Sequence, residues 1–202
     1  MYIPHHYRNE NLAEVKDFLS HNSFGILINQ VDGRPWGTHI PLELDIAENG
    51  KEVFMGHIAK ANPQWKNFEM EPEVLCIFNG PHSYVSSSWY KDEEVPTWNY
   101  IAVHVYGSLK IIEGDELMMH LKKLVDKYEV DSKEPIAVEK LSPKTLSQVR
   151  GVVGFQIEIK EIMAAYKLSQ TREEDDHRRI IKELEKKDPA SKAIANAMKK
   201  DN

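Results

Sequence analysis

Between Gly80 and Tyr100 the chain concentrates flat rings, hydroxyls and an amide. Trp89, Tyr90, Trp98 and Tyr100 supply aromatic surface, and Ser86, Ser87, Ser88, Thr97 and Asn99 supply hydrogen-bonding groups beside it. A strand core would instead alternate Val, Ile and Leu with polar residues. The mixture suits a planar ligand with a polar rim, which needs an apolar wall and a few placed donors and acceptors. The same residues would also make a buried corner, with the ring heteroatoms satisfied by Ser and Asn neighbours.

A second stretch, Met55 to Trp65, runs from a predicted strand end into a helix start at Asn62 and Pro63. Free backbone N–H groups and the helix dipole favour an anion there. Lys60 adds a positive charge and His57 a further donor, which together would form a phosphate cradle; the other reading is a surface turn with an exposed Lys. Elsewhere the residues for familiar chemistries are missing. The nine His show no metal-ligand spacing and there is one Cys, so no metal site is expected. Ser86 to Ser88 lack the elbow of serine hydrolases, and no dinucleotide-binding or P-loop glycine pattern occurs. No residue stands out as a catalytic acid or base; His39, His82 and His104 are proton donors by type alone.

The elements that must position these residues read mostly as strands. Asn11 and Glu14 mark a capped helix start, with Leu12, Val15, Phe18 and Leu19 on one face. Phe24 to Val31 is a strand, Asp32 and Gly33 a hairpin turn, Trp36 to Leu44 the returning strand. Asn49 and Gly50 make the next turn and Glu52 to His57 the third strand, so the pattern reads as a meander. After a short helix to about Phe68, Glu73 to Asn79 is a buried strand with Cys76 in its core, and Tyr100 to Ile112 alternates clearly. Asp115 to Tyr128 is an amphipathic helix with Leu117, Leu121, Leu124, Val125 and Tyr128 in phase. Val152 to Ile159 is the last strand, with an extension toward Leu168. Two charged helices follow, from Arg172 to Lys187 and from Pro189 onward, each with a thin apolar seam. The sum is six or seven mostly antiparallel strands with helical decorations, which favours a small β-barrel.

The composition bounds the class. A chain of 202 residues can bury a real core as one domain with appendages. No apolar run approaches the roughly 20 residues a membrane helix needs, and no signal peptide is evident. The lone Cys76 excludes an intrachain disulfide, so a cytoplasmic protein is expected. The formal net charge is -6, and the basic residues near the end alternate with acids. No surface rich enough in positive charge to neutralise DNA phosphates is evident.

Several segments together resemble one family. They are the opening Met1 to Tyr7, His57 to Trp65, Phe78 to Tyr90, Val95 to Tyr100, Ala102 to Gly107 and Lys167 to Gln170, in that order. The family is that of the PaiB-like FMN-binding negative transcriptional regulators of bacteria, and the match runs from residue 1 to about 180. Two departures are visible: Ser87 stands where relatives often have Pro, and Thr171 where they have Asn.

The resemblance implies a mainly β fold with α decorations. This is a split β-barrel of the FMN-binding type, mostly antiparallel; the composition shift beyond Gln170 bounds it at residues 1–170, with a C-terminal helical tail over 171–202. It implies a homodimer with FMN at the subunit interface. It places the flavin phosphate at His57, Lys60 and Asn62, and the isoalloxazine against Thr38, His39 and Ile40. The aromatic stretch adds Ser87, Trp89, Thr97, Trp98 and Asn99 to the candidate cofactor residues. A flavin-dependent sensor and negative regulator is the leading expectation. A flavin-dependent oxidoreductase acting on a small molecule is the alternative, and a haem-binding or haem-degrading barrel the second. Direct DNA binding is not expected, because the charge is acidic and no recognition helix is evident.

Overall fold

In the computed structural model, which describes residues 1–200, the first helix starts at its predicted cap. The Asn11 side chain accepts a hydrogen bond from the Glu14 backbone N–H at 3.3 Å. That satisfies one of the donors a helix start leaves unpaired. Helix α1 (Leu12–His21) buries Val15, Phe18 and Leu19. Leu12, placed on the same face by its spacing, is exposed at the first position of the helix.

Strands β1 (Phe24–Val31) and β2 (Arg34–Pro41) form a hairpin in register from Phe24 opposite Pro41 to Val31 opposite Arg34. Asp32 and Gly33 take φ of 51° and 72°. Positive φ at both central residues is what the tight hairpin turn requires. The predicted returning strand from Trp36 to Leu44 is in fact two. It breaks at Leu42, fully buried, whose N–H turns away to the Ser23 carbonyl at 2.8 Å. Beyond the break, β3 (Glu43–Ile46) pairs with β4 (Glu52–Ala59) in a second hairpin.

Three long strands follow, β5 (Glu73–Val85), β6 (Thr97–Ile112) and β7 (Val152–Lys167). The strand order is β2-β1-β5-β6-β7-β4-β3, so the expected meander does not form. β1 pairs antiparallel with β5, and β4 with β7. The reason lies in burial. β1 and β4 carry the apolar side chains of their hairpins and take the inner positions, while β2 and β3 are mostly polar or exposed and form edges.

β5 also runs six residues past its predicted end at Asn79, through to Val85. Ser83 and Val85 point inward there while His82 and Tyr84 stay exposed, the period of a strand. Gly80 lets helix α1 approach: a Cβ at that position would meet the Phe18 ring at 2.7 Å.

The remaining helices are α2 (Gly114–Glu129), the single turn α3 (Pro143–Leu146), α4 (Glu174–Leu184) and α5 (Pro189–Lys200). No helix among the described residues is long and apolar enough to cross a membrane. The residues group into two compact units. One comprises Ser23–Ile77 and Val105–Ile162, with Leu27, Phe54, Phe68, Cys76, Phe155 and Ile157 in its core. The other comprises Met1–Asn22, Phe78–His104 and the chain from Met163 on, with Phe18, Phe78, Val103, Ile180, Leu184 and Ile194 buried. In this second unit α5 is capped by Asp188, whose carboxylate accepts from the Ser191 N–H and hydroxyl. The Ser191 hydroxyl also bonds that of Ser83 in β5 at 2.9 Å, both buried. Residues 201 and 202 of the expected tail lie outside the described residues.

Candidate functional site

The candidate residues fall into two groups, one in each unit. In the first unit the organising side chain is Gln64, which is fully buried. Its amide nitrogen donates to the Leu27 and Trp36 carbonyls at 3.1 and 3.4 Å. Its amide oxygen accepts from the Thr38 hydroxyl at 2.6 Å. The Asn62 amide nitrogen donates to the same hydroxyl at 2.9 Å, and the Asn62 oxygen caps the Gln64 N–H at 3.1 Å. Thr38 and Asn62 are therefore brought together by a residue that sequence reading left out. The signal was present: Gln in the second position after an Asn cap.

The turn these residues build is a five-residue 3-10 helix, Pro63–Asn67, too short to develop the macrodipole of a long α-helix. Several of its nearby donors are also spent. The Lys60 N–H goes to the Gly151 carbonyl at 2.8 Å, the Asn62 N–H to the Ala59 carbonyl at 2.9 Å, and the Gln64 N–H to Asn62. The Trp65 indole N–H donates to the Lys60 carbonyl at 2.9 Å and fixes the backbone there. The Lys60 side chain remains open to an anion, exposed and without an ion pair among the described residues.

His39 is exposed and stacks on Phe24 at 6.4 Å, while Ile40 is buried. His57, half-buried on β4, faces His120 of α2 with Nδ1 and Nε2 3.4 Å apart. Burial holds His57 below the usual histidine range. Burial, and then the neighbouring His57, push His120 down to about 4 against the pull of Glu43 and Asp45. His120 is 4% exposed at the edge of a cleft lined by Asp45, Met55, Met119, Lys123 and Gln156. Its helical face reads as apolar, with Leu117, Leu121 and Leu124 in phase, which hides this partner. Nearby, Glu43 ties β3 to the end of α2. Burial opposes its charge, but hydrogen bonds from Lys127, Tyr128 and Ser23 prevail and keep its carboxyl below the usual range.

In the second unit, Ser86 caps a three-residue 3-10 helix, Ser87–Trp89, by accepting from the Ser88 N–H at 3.3 Å. Trp89 is half-buried, with the Lys187 ammonium 5.1 Å from its ring centre. Trp98 is 52% exposed and sits 6.1 Å from the His82 ring and 5.9 Å from that of Tyr84, so three rings share one open patch. Thr97 and Asn99 alternate with Trp98 and turn the other way. The Thr97 hydroxyl accepts from the Lys167 ammonium. Asn99 is fully buried; its amide nitrogen donates to the Ser169 hydroxyl at 2.9 Å and its oxygen accepts from that hydroxyl at 3.1 Å. Lys167 and Ser169 belong to one of the segments that carry the family resemblance. Of the histidines named as proton donors, His82 is exposed, and His104 is half-buried with its pKa lowered by burial and then by the N-terminal charge.

The comparisons with known proteins bear on these residues. The family described as "Putative FMN-binding domain" matches residues 1–161. The Protease synthase and sporulation protein PAI 2 of Bacillus subtilis is 44% identical over 98% of this chain and 96% of its own length. An uncharacterized protein of Emericella nidulans is 27% identical over 98% of this chain and 96% of its own. Among solved structures, the flavocytochrome Anf3 from Azotobacter vinelandii superposes with a TM-score of 0.60, at 16% identity over 86% of this chain and 76% of that one. The FAD and heme binding protein from Mycobacterium smegmatis gives 0.61, at 13% identity over 85% and 78%. At these identities the two structures speak for the fold alone, that of a split barrel.

Proposed function

Since the chain belongs to the family of PaiB-like FMN-binding proteins, we propose that it works as a cytoplasmic, homodimeric flavin sensor and negative regulator with FMN as its cofactor. The observation that carries the reading is the relation to the Bacillus subtilis protein over nearly the whole of both chains; that protein's name speaks of protease synthase and sporulation. FMN, when bound, supplies redox chemistry at its isoalloxazine ring.

The residues present suit such a ligand. A flavin phosphate asks for a cation without a partner, and Lys60 offers an exposed one beside His57 and Asn62. An isoalloxazine asks for ring or aliphatic surface with hydrogen-bonding groups at its rim, and Thr38, His39 and Ile40 in one unit offer that mixture, Thr38 as an acceptor since its own proton goes to Gln64. So do Ser87, Trp89, Thr97 and Trp98 in the other. In this reading Asn99 serves by holding the Ser169 turn, since both ends of its amide are engaged. Residues 1–170 would form the flavin-binding domain and 171–202 an appended tail that stabilises it. Homodimer formation is supported by exposed apolar side chains such as Phe24, Trp36 and Trp98.

The test is the absorption spectrum of the protein purified from cells, with its mass in solution. A flavin band that exchanges with added FMN, and a particle of twice 23.3 kDa, are expected. A Soret band, or a colourless protein that fails to take up FMN, overturns the flavin reading. A stable monomer at micromolar concentration overturns the dimer. Rapid mixing with NADH or NADPH then separates sensor from enzyme: fast, repeated bleaching of the flavin would make the protein an oxidoreductase.

A further inference from the structure

We infer that the segment Tyr166–Arg172 carries a second ligand site, beyond the flavin reading, in which Lys167 and Arg172 hold a small oxyanion, a carboxylate or a phosphate group. Lys167 is the last residue of β7, and its side chain is half-buried. Its ammonium donates to the Thr97 hydroxyl and lies 5.7 Å from the centre of the Tyr7 ring. No carboxylate reaches salt-bridge distance of it among the described residues. The charge that acts on it is of its own sign: burial, and then Arg172, hold the ammonium below the usual lysine range.

A cation in this position is incompletely satisfied. A lysine ammonium has three donors, and a hydroxyl and a ring face use two of them. Removing a charge from water costs free energy unless an opposite charge and hydrogen bonds replace the water. An oxyanion would supply both, through short charge-assisted bonds. Arg172 adds a second cation. It lies 4.7 Å from the Tyr90 ring centre and donates one N–H to Glu94, which leaves donors on a group that carries five. Tyr7 adjoins both cations, its ring near Lys167 and its hydroxyl within electrostatic reach of Arg172.

The backbone between the two cations makes a strained turn. Ser169 takes φ of 64°, a region that residues other than Gly seldom adopt. Such strain persists only where the surroundings over-determine it. Here the buried Asn99 grips the Ser169 hydroxyl from both amide atoms. The Gln170 side chain accepts from the Leu168 N–H at 2.8 Å and donates to the Tyr166 carbonyl. The Arg172 N–H then returns to the Ser169 carbonyl at 3.1 Å and closes the turn. A fully buried asparagine, a left-handed serine and a glutamine clamp thus fix a short reversal whose two ends are Lys167 and Arg172.

The probe is inorganic phosphate or acetate against chloride at matched ionic strength, added to full-length protein saturated with FMN, with thermal unfolding as the readout. A saturable rise in Tm with phosphate or acetate over chloride is expected, and the larger of the two identifies the preferred group. The midpoint should be at least about tenfold weaker in Lys167→Met, and weaker in Thr97→Val. Near-ultraviolet circular dichroism establishes that each variant is folded; if Lys167→Met is not, Arg172→Gln takes its place with the same expectation. Equal Tm in all three salts overturns the inference, as does an undiminished phosphate effect in folded Lys167→Met. If Lys167→Met weakens FMN and spares riboflavin, the ammonium serves the flavin phosphate and the second site is overturned. A chain that takes up no FMN would be titrated without it, so failure of the flavin reading leaves this result separately readable.

Discussion

The Nδ1 of His57 and the Nε2 of His120 approach to 3.4 Å on facing elements, β4 and α2, and both rings are held neutral by burial. At most one proton can lie between them. Glu43 and Asp45 pull His120 toward the charged form while Lys123 opposes it, and burial outweighs them all.

Stability should therefore fall in mild acid. The folded pKa of His120 lies at about 4, below the ordinary value of 6.5, so the unfolded chain binds the proton more readily. The contribution is fully present above pH 6.5 and is lost as pH falls toward 4, to a total of roughly 3 kcal/mol for His120. His57 acts in the same direction. Urea unfolding at a series of pH values checks this, and His120→Leu should flatten the slope between 6.5 and 4. An unchanged slope in that variant would place the acid sensitivity elsewhere.

The Lys60→Ala substitution should weaken FMN more than riboflavin. Lys60 is exposed and its backbone is fixed at both N–H and carbonyl, so the variant should fold normally. Losing one charge-assisted bond to phosphate costs about 1.5 kcal/mol, roughly tenfold in affinity. Flavin fluorescence titrations with the two ligands decide it, and equal losses would remove Lys60 from the phosphate.

The local punctuation of the fold was legible in the sequence. Asn11, Asn62, and the pair Asp32 and Gly33 each do at one or two positions what their side chains or backbone freedom dictate. What could not be read were decisions made by packing. Nothing in Phe24 to His57 says that β1 takes β5 as its second partner, because pairing between distant strands is settled by which hairpin edge is apolar. The continuation of β5 past Gly80 was hidden by the rings of His82 and Tyr84, whose outward alternation is visible only beside buried Ser83 and Val85. The candidate site divides in the same way. Thr38 and Asn62 were named from the sequence, but Gln64, His120 and Lys167 take their roles from partners 26, 63 and 70 residues away.

The C-terminal helices should stabilise the chain without touching the flavin. Leu184 and Ile194 are fully buried in their unit, and Leu184→Ala should cost about 2–5 kcal/mol through lost contacts and the cavity left behind. FMN affinity of the folded variant should be unchanged. A variant that stays folded yet binds FMN more weakly would draw the tail into the flavin site and move the boundary at residue 170.

Direct operator binding should be weak or absent. The formal net charge of -6 repels a duplex over a screening length of roughly 8 Å. Part of the basic charge at this end of the chain is already engaged by acids. Arg178 meets Glu174 and Asp175, Lys186 meets Glu183, and Lys199 meets Glu185. Releasing them to phosphate would trade one ion pair for another. Regulation would then run through a partner protein, or through flavin chemistry that changes a signal molecule. Fluorescence anisotropy against promoter and random DNA, with and without FMN, is the measurement. Micromolar or weaker binding without sequence preference is expected; a nanomolar, promoter-selective complex at physiological salt would make the protein a repressor in its own right.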